Sequence, residues 1–143
     1  MITPRWYQEE AILAIYNYFA NGGKGNPIVA LPTASGKSII PAIFIERVMK
    51  QWPNQRFLLM SHVKELVEQN AEKLLNVWAN APLGIHSAGL KKRDTSHPII
   101  FGGVQSMIKN ANVFGWRDLI FIDECHLVSD DDSSMYLSFI ALM

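Results

Sequence analysis

Leu31-Pro32-Thr33-Ala34-Ser35-Gly36-Lys37-Ser38 decides how the rest of the chain is read. It follows the short apolar run Pro27-Ile28-Val29-Ala30 and opens the run from Ile39 to Met49, giving strand, tight loop and helix in that order. A loop of this kind wraps phosphates with backbone N–H groups, and the helix N-terminus behind it favours negative charge. In such an arrangement Lys37 reaches the β- and γ-phosphates, and the Ser38 hydroxyl takes a place on Mg²⁺. Gly36, Lys37 and Ser38 fit the pattern G-x-x-x-x-G-K-[ST], while Leu31 stands where its first Gly would be. The plainer reading is a Gly-Lys-Ser turn that caps a helix.

Leu119-Ile120-Phe121-Ile122 weighs against the plainer reading. It is an unbroken apolar run, as expected for a strand buried on both faces of a parallel sheet, and it ends in Asp123-Glu124. Carboxylates at that end of a strand sit where α/β sheets place their ligands. Asp123 can hold Mg²⁺, usually through water, and Glu124 can polarise an attacking water. With the Gly-Lys-Ser loop upstream, the chain carries the phosphate cradle, metal ligand and candidate base of a nucleotide hydrolase.

At 143 residues the size suits one domain, and 49% hydrophobic residues supply a core. Thirteen basic residues balance 13 acidic ones, so any nucleic-acid surface has to be a local patch. The single cysteine, Cys125, excludes an internal disulfide and fits a reducing, cytoplasmic setting. No apolar run approaches the roughly 20 residues of a membrane span.

Alternation of helical and strand patterns predicts a doubly wound α/β domain with a mostly parallel sheet. Pro4 to Phe19 reads as a helix, with Arg5 and Gln8 one turn apart and able to face one ligand. Ile39 to Gln51 is a helix that tolerates Pro41 in its first turn. Arg56 to Met60 is a buried strand, and Val63 to Trp78 a helix with Leu66, Val67, Leu74 and Leu75 on its apolar side. A short strand is expected from Asn80 to His86, a polar loop with the basic cluster Lys91-Lys92-Arg93 from Ser87 to Ser96, and a strand at Pro98 to Phe101. Gly102-Gly103 reads as a turn allowing close approach, Val104 to Lys109 as a short helix, and Asn110 to Arg117 as a loop in which Phe114 and Trp116 plug the core. Asp130-Asp131-Asp132 reads as a solvated run before a last helix, Ser133 to Leu142.

Asp123-Glu124-Cys125-His126 resembles the DExH box of superfamily 2 helicases, and Pro32 to Ser38 is similar to their motif I, with Ala34 in place of a common glycine. Arg5-Trp6-Tyr7-Gln8 resembles the R-x-Y-Q motif of that group, whose Gln reads adenine. Ser61-His62-Val63-Lys64-Glu65-Leu66-Val67-Glu68-Gln69-Asn70 is similar to motif Ia, and Ser87 to Lys92 and Phe101 to Ser106 to motifs Ib and Ic. Their combination looks most like the RadD branch of DNA-repair ATPases. The resemblance implies a three-layer, RecA-like P-loop domain over residues 1–143 that uses ATP and Mg²⁺. It implies catalytic roles for Lys37, Asp123, Glu124 and His126, and ATP contacts from Arg5, Gln8, Thr33, Ala34, Ser35, Gly36, Lys37 and Ser38. Ser38 and Asp123 would hold the Mg²⁺. Lys64, Lys91, Gln105 and Ser106 become candidate contacts to single-stranded or junction DNA, against the plainer reading of a solvated surface.

The chain reaches Met143 before any motif III, and a second RecA-like domain with its arginine finger is expected outside it. Such an arginine contributes about 10³–10⁵ in rate, so this chain is expected to bind nucleotide and hydrolyse it slowly. Three readings stand: half of a DNA-dependent ATPase or helicase, an inactive module that binds nucleotide or DNA, and the translocase domain of a restriction-type enzyme.

Overall fold

A computed structural model describes residues 3–24, 27, 29 and 36–123. Thr33, Ala34, Ser35, Glu124, Cys125, His126, the Asp130 to Asp132 run and the helix expected at Ser133 to Leu142 lie outside these residues, as do Ile28 and Ala30 of the expected first strand. In chain order the elements are α1 (Trp6–Ala20), α2 (Ile39–Gln51), β1 (Phe57–Ser61), α3 (Lys64–Val77), β2 (Leu83–Ser87), β3 (Lys92–Arg93), β4 (Ile99–Gly103), α4 (Val104–Ile108), a 3-10 turn (Ala111–Phe114) and β5 (Leu119–Ile122). Among the described residues no helix is long and apolar enough to cross a membrane.

Every residue of β1 is buried. It pairs in parallel with β4 on one side and β5 on the other, with Phe57 opposite both Ile99 and Leu119. β4 pairs in parallel with β2, and β3 adds a short antiparallel pair, so the order is β3-β2-β4-β1-β5. A strand flanked on both edges and covered on both faces has no solvent side, which is why Phe57-Leu58-Leu59-Met60 is apolar without interruption. Its side chains alternate between two cores. Phe57, Leu59, Ile99 and Phe101 pack with the apolar residues of α1, α2 and α3. Leu58, Met60 and Ile100 pack with Val104 and Met107 of α4 and with Ala111 and Phe114 of the 3-10 turn. The result is the expected three-layer α/β architecture with a mostly parallel sheet.

Several local expectations are corrected. β5 is half-buried rather than fully buried, although both its faces are covered: Leu119 and Phe121 pack on one core, Ile120 and Ile122 on the other. Leu75 is 42% exposed, because the inward stripe of α3 runs Val67, Asn70, Ala71 and Leu74. Lys92 and Arg93 form a strand where a loop was expected, since His86 and Ser87 offer them an antiparallel edge. Gly102 and Gly103 end β4 instead of forming a turn, although the close approach is present: a Cβ on Gly102 would lie 2.4 Å from the His86 carbonyl oxygen. Phe114 is a core plug at 1% exposure, but Trp116 is 73% exposed.

Arg117 fastens the N-terminal ends of the strands. Its buried guanidinium donates to the carbonyls of Phe114 at 2.9 Å, His97 at 2.7 Å, Pro98 at 3.0 Å and Thr95 at 3.2 Å, with a longer contact to Phe57 at 3.5 Å. Burial, with a smaller contribution from nearby Arg56, pushes its pKa down to about 10, so it stays charged at neutral pH.

Candidate functional site

Gly36 sits immediately before the first turn of α2 with φ +76°, the left-handed region that favours glycine. Its carbonyl accepts from Ile39 N–H at 3.2 Å, and the Lys37 carbonyl from Ile40 N–H at 3.1 Å, which starts the helix. The same Gly36 carbonyl accepts from Gln8 Nε2 at 3.2 Å. At the other end of that amide, Gln8 Oε1 accepts the Arg5 backbone N–H at 2.8 Å. Gln8 is 7% exposed, so the amide is a buried bracket between the start of α1 and the loop ahead of α2. The backbone angle favours glycine, and a Cβ on Gly36, 2.6 Å from Gln8 Nε2, would displace the end of that amide. Arg5 and Gln8 diverge: the exposed Arg5 guanidinium donates to the Tyr7 hydroxyl at 3.1 Å.

Lys37 and Ser38 are half-exposed at the α2 N-terminus. Among the described residues Lys37 has no carboxylate partner, and the Ser38 side chain makes no capping hydrogen bond. The first turn of α2 holds no acidic residue, so the partial positive charge of the helix N-terminus is not offset there. Ionic tethering of α2 lies elsewhere. Arg47 forms a two-pronged pair with Glu9 of α1, at 2.7 and 2.9 Å, and its hydrogen bond holds the Glu9 carboxyl below its ordinary value.

Asp123 follows β5 at its C-terminal end. Its backbone N–H donates to the Met60 carbonyl at 3.0 Å, and its Oδ2 accepts from Asn70 Nδ2 at 2.9 Å. Asn70 also donates to Ser61 Oγ at 3.3 Å. The sequence reading missed Asn70. Its signal was a polar residue on an otherwise apolar stripe, three positions after Val67 and four before Leu74.

The four candidate DNA contacts lie on connections that leave the same end of the sheet. Lys64 opens α3 after β1, and its side chain lies over Gly89, where an added Cβ would meet Lys64 Cδ at 3.1 Å. The Ser106 hydroxyl of α4 accepts the Ala88 N–H at 2.9 Å, which leaves its own O–H to donate. Lys91 closes the turn after β2 at φ +56°, a conformation costly for a residue with a side chain. Lys64, Lys91 and Gln105 are exposed. The connections after β1, β2 and β4 therefore touch one another and form one rim.

Solved structures share this fold. The UvsW helicase from bacteriophage T4 matches 99% of the chain with a TM-score of 0.73 at 23% identity, and a second T4 UvsW structure matches 99% with a TM-score of 0.74 at 23% identity. A nuclease-deletion mutant of the type ISP restriction-modification enzyme LlaGI, in complex with a DNA substrate mimic, matches 92% with a TM-score of 0.62 at 17% identity. The chain spans 50% and 28% of the two UvsW chains and 16% of the LlaGI chain. Its fold is that of a RecA-like domain of helicase type. The family described as "Type III restriction enzyme, res subunit" matches residues 1–140, and the chain belongs to that family. A comparison with curated proteins found no significant match.

Proposed function

We propose that this chain is the ATP-binding half of a DNA-dependent ATPase or helicase of the DExH type, acting in the cytoplasm in DNA repair or recombination and closest in its motifs to the RadD branch. The observation that carries the reading is the bond from Gln8 to Gly36, which joins two motifs 28 positions apart at the phosphate loop. A helix-capping turn does not call for a buried amide from another helix; a site that recognises base and phosphates together does.

The roles follow. Lys37 and the backbone from Thr33, Ala34, Ser35 and Gly36 to Ser38 bind the phosphates. Gln8 reads adenine, since an amide presents a donor and an acceptor, and Arg5 adds a separate contact to ATP. Ser38 and Asp123 supply the hard oxygen donors that Mg²⁺ takes, and both fit it: the Ser38 hydroxyl makes no cap bond, and Asp123 commits only Oδ2 among the described residues. When bound, Mg²⁺ offsets charge on the phosphates. Glu124 orients and polarises the attacking water, and His126 links the nucleotide site to a following motif. Lys64, Lys91, Gln105 and Ser106 hold the DNA backbone, through contacts that position a strand without reading its sequence. A second RecA-like domain completes turnover.

Calorimetry of Mg-ATP binding tests this. Lys37→Ala removes the point charge on the phosphates at a half-exposed position, so binding is lost while the thermal melt is unchanged. Equal affinity for wild type and Lys37→Ala would end the reading. The family match favours a second reading, the translocase domain of a restriction-type enzyme. ATP hydrolysis that responds to one methylatable recognition site, and not to single-stranded DNA of any sequence, would select it.

A further inference from the structure

Asn70 is the polar member of the buried stripe of α3, between Val67 on one side and Ala71 and Leu74 on the other. A buried side-chain amide is costly unless its hydrogen-bonding groups find partners. Asn70 sends Nδ2 to Asp123 Oδ2 at 2.9 Å and to Ser61 Oγ at 3.3 Å. A carboxylate accepts, so the nitrogen end of the amide is assigned as the end that faces Asp123. Ser61 ends β1 and is fully buried, so the amide rests on an interior strand of the sheet. The Asp123 main chain is fixed to the same strand through its N–H to the Met60 carbonyl at 3.0 Å. One carboxylate oxygen and the backbone of Asp123 are thereby held by groups 53 and more positions away in sequence. Among the described residues Oδ1 has no such partner.

We propose that Asn70 is a positioning residue for Asp123, and that Ser61 in turn positions Asn70. The amide takes Oδ2 and fixes the rotamer of the carboxylate, so that Oδ1 is offered to Mg²⁺ in one orientation. This rests on the proposed role of Asp123 as a metal ligand. Outer partners of metal ligands typically change metal affinity by about 10–100-fold when removed. The Asn70 bond is a single neutral amide contact, so the lower end of that range applies.

The test is ATP binding by the 143-residue chain, titrated with Mg²⁺ and repeated in EDTA, for wild type, Asn70→Leu, Asn70→Ala and Ser61→Ala, with a thermal melt of each. Both Asn70 variants are expected to raise the Mg²⁺ concentration needed for half-maximal enhancement of ATP binding by about 10-fold. Affinity in EDTA stays at the wild-type value. Ser61→Ala leaves the Asn70–Asp123 bond possible and gives a smaller shift in the same direction. An unshifted Mg²⁺ midpoint in the Asn70 variants would overturn the proposal. Equal losses with and without Mg²⁺ would also overturn it, because they would make Asn70 a packing residue. Loss of the folded state in both Asn70 variants would do the same, since a fold that depends on Asn70 accounts for the bond without any cation. If wild type itself bound ATP with no response to Mg²⁺, the proposed function would fail, and the role of Asn70 with it. A normal wild type beside unshifted variants would remove only the role of Asn70.

Discussion

Gly36 holds a left-handed backbone angle, and the end of the Gln8 amide stands against it. Gly36→Ala places a methyl group 2.6 Å from Gln8 Nε2 and forces alanine into the left-handed region, so the amide end is displaced and the loop strained. Nucleotide affinity is expected to fall at least as far as in Gln8→Ala, with the thermal midpoint lowered; wild-type affinity for Gly36→Ala would show that the bracket is dispensable. Gln8→Ala itself is expected to weaken ATP binding and reduce discrimination against GTP, measured by competition between the two nucleotides. Lys37, Ser38 and Asp123 are proposed from the sequence because each sits in a short pattern whose chemistry is local. Asn70 and Arg117 were not, because their partners are distant in the chain: Asp123 and Ser61 for one, the carbonyls of Thr95, His97 and Pro98 for the other. Long-range hydrogen bonds leave little periodic trace.

Helix α2 was read at its observed limits, since its apolar periodicity and the Trp52-Pro53-Asn54 break are both local signals. β3 escaped notice because two exposed basic residues carry no strand pattern; they are a strand only because β2 presents an edge. Leu75 was misplaced for a related reason. Apolar character did not reveal that Asn70 would hold an inward position on the same helix. At this scale Glu9 and Arg47 tie α1 to α2, each side chain about a third or more exposed. The Glu9 pKa is lowered in the folded chain, so the pair stabilises above the ordinary glutamate pKa and its contribution disappears as pH falls through the lowered value. Arg47→Ala is therefore expected to cost less than about 1 kcal/mol at neutral pH and nothing in strong acid, read from denaturant midpoints. A deficit that persists in acid would assign the effect to lost packing. Lys64 and Lys91 belong to the rim formed by three connections. Alanine at either should weaken single-stranded DNA binding evenly across sequences and flatten its salt dependence; an unchanged salt slope would remove that lysine from the interface.

Across the whole molecule, buried runs and sheet-end motifs made the α/β class readable in advance, whereas the strand order had to come from the structure. Two cores lie on opposite faces of one sheet, and Arg117 joins its lower ends without a carboxylate partner among the described residues. Arg117→Met should destabilise the fold by about 1.5–3 kcal/mol, the range for hydrogen bonds to a charged group. Full stability in urea would mean that the desolvation of the guanidinium cancels those bonds. The fastening has a kinetic consequence that amide hydrogen exchange would expose. β1 and β4 are covered on both faces, lie between other strands and are joined below by a cation, so their amides can reach solvent only when the entire domain opens. The turn at 88–91 and β3 lack such cover and should exchange through small, frequent openings. Heavy water should therefore label the chain from its upper rim downward, and leave the two middle strands protonated until the last molecules unfold.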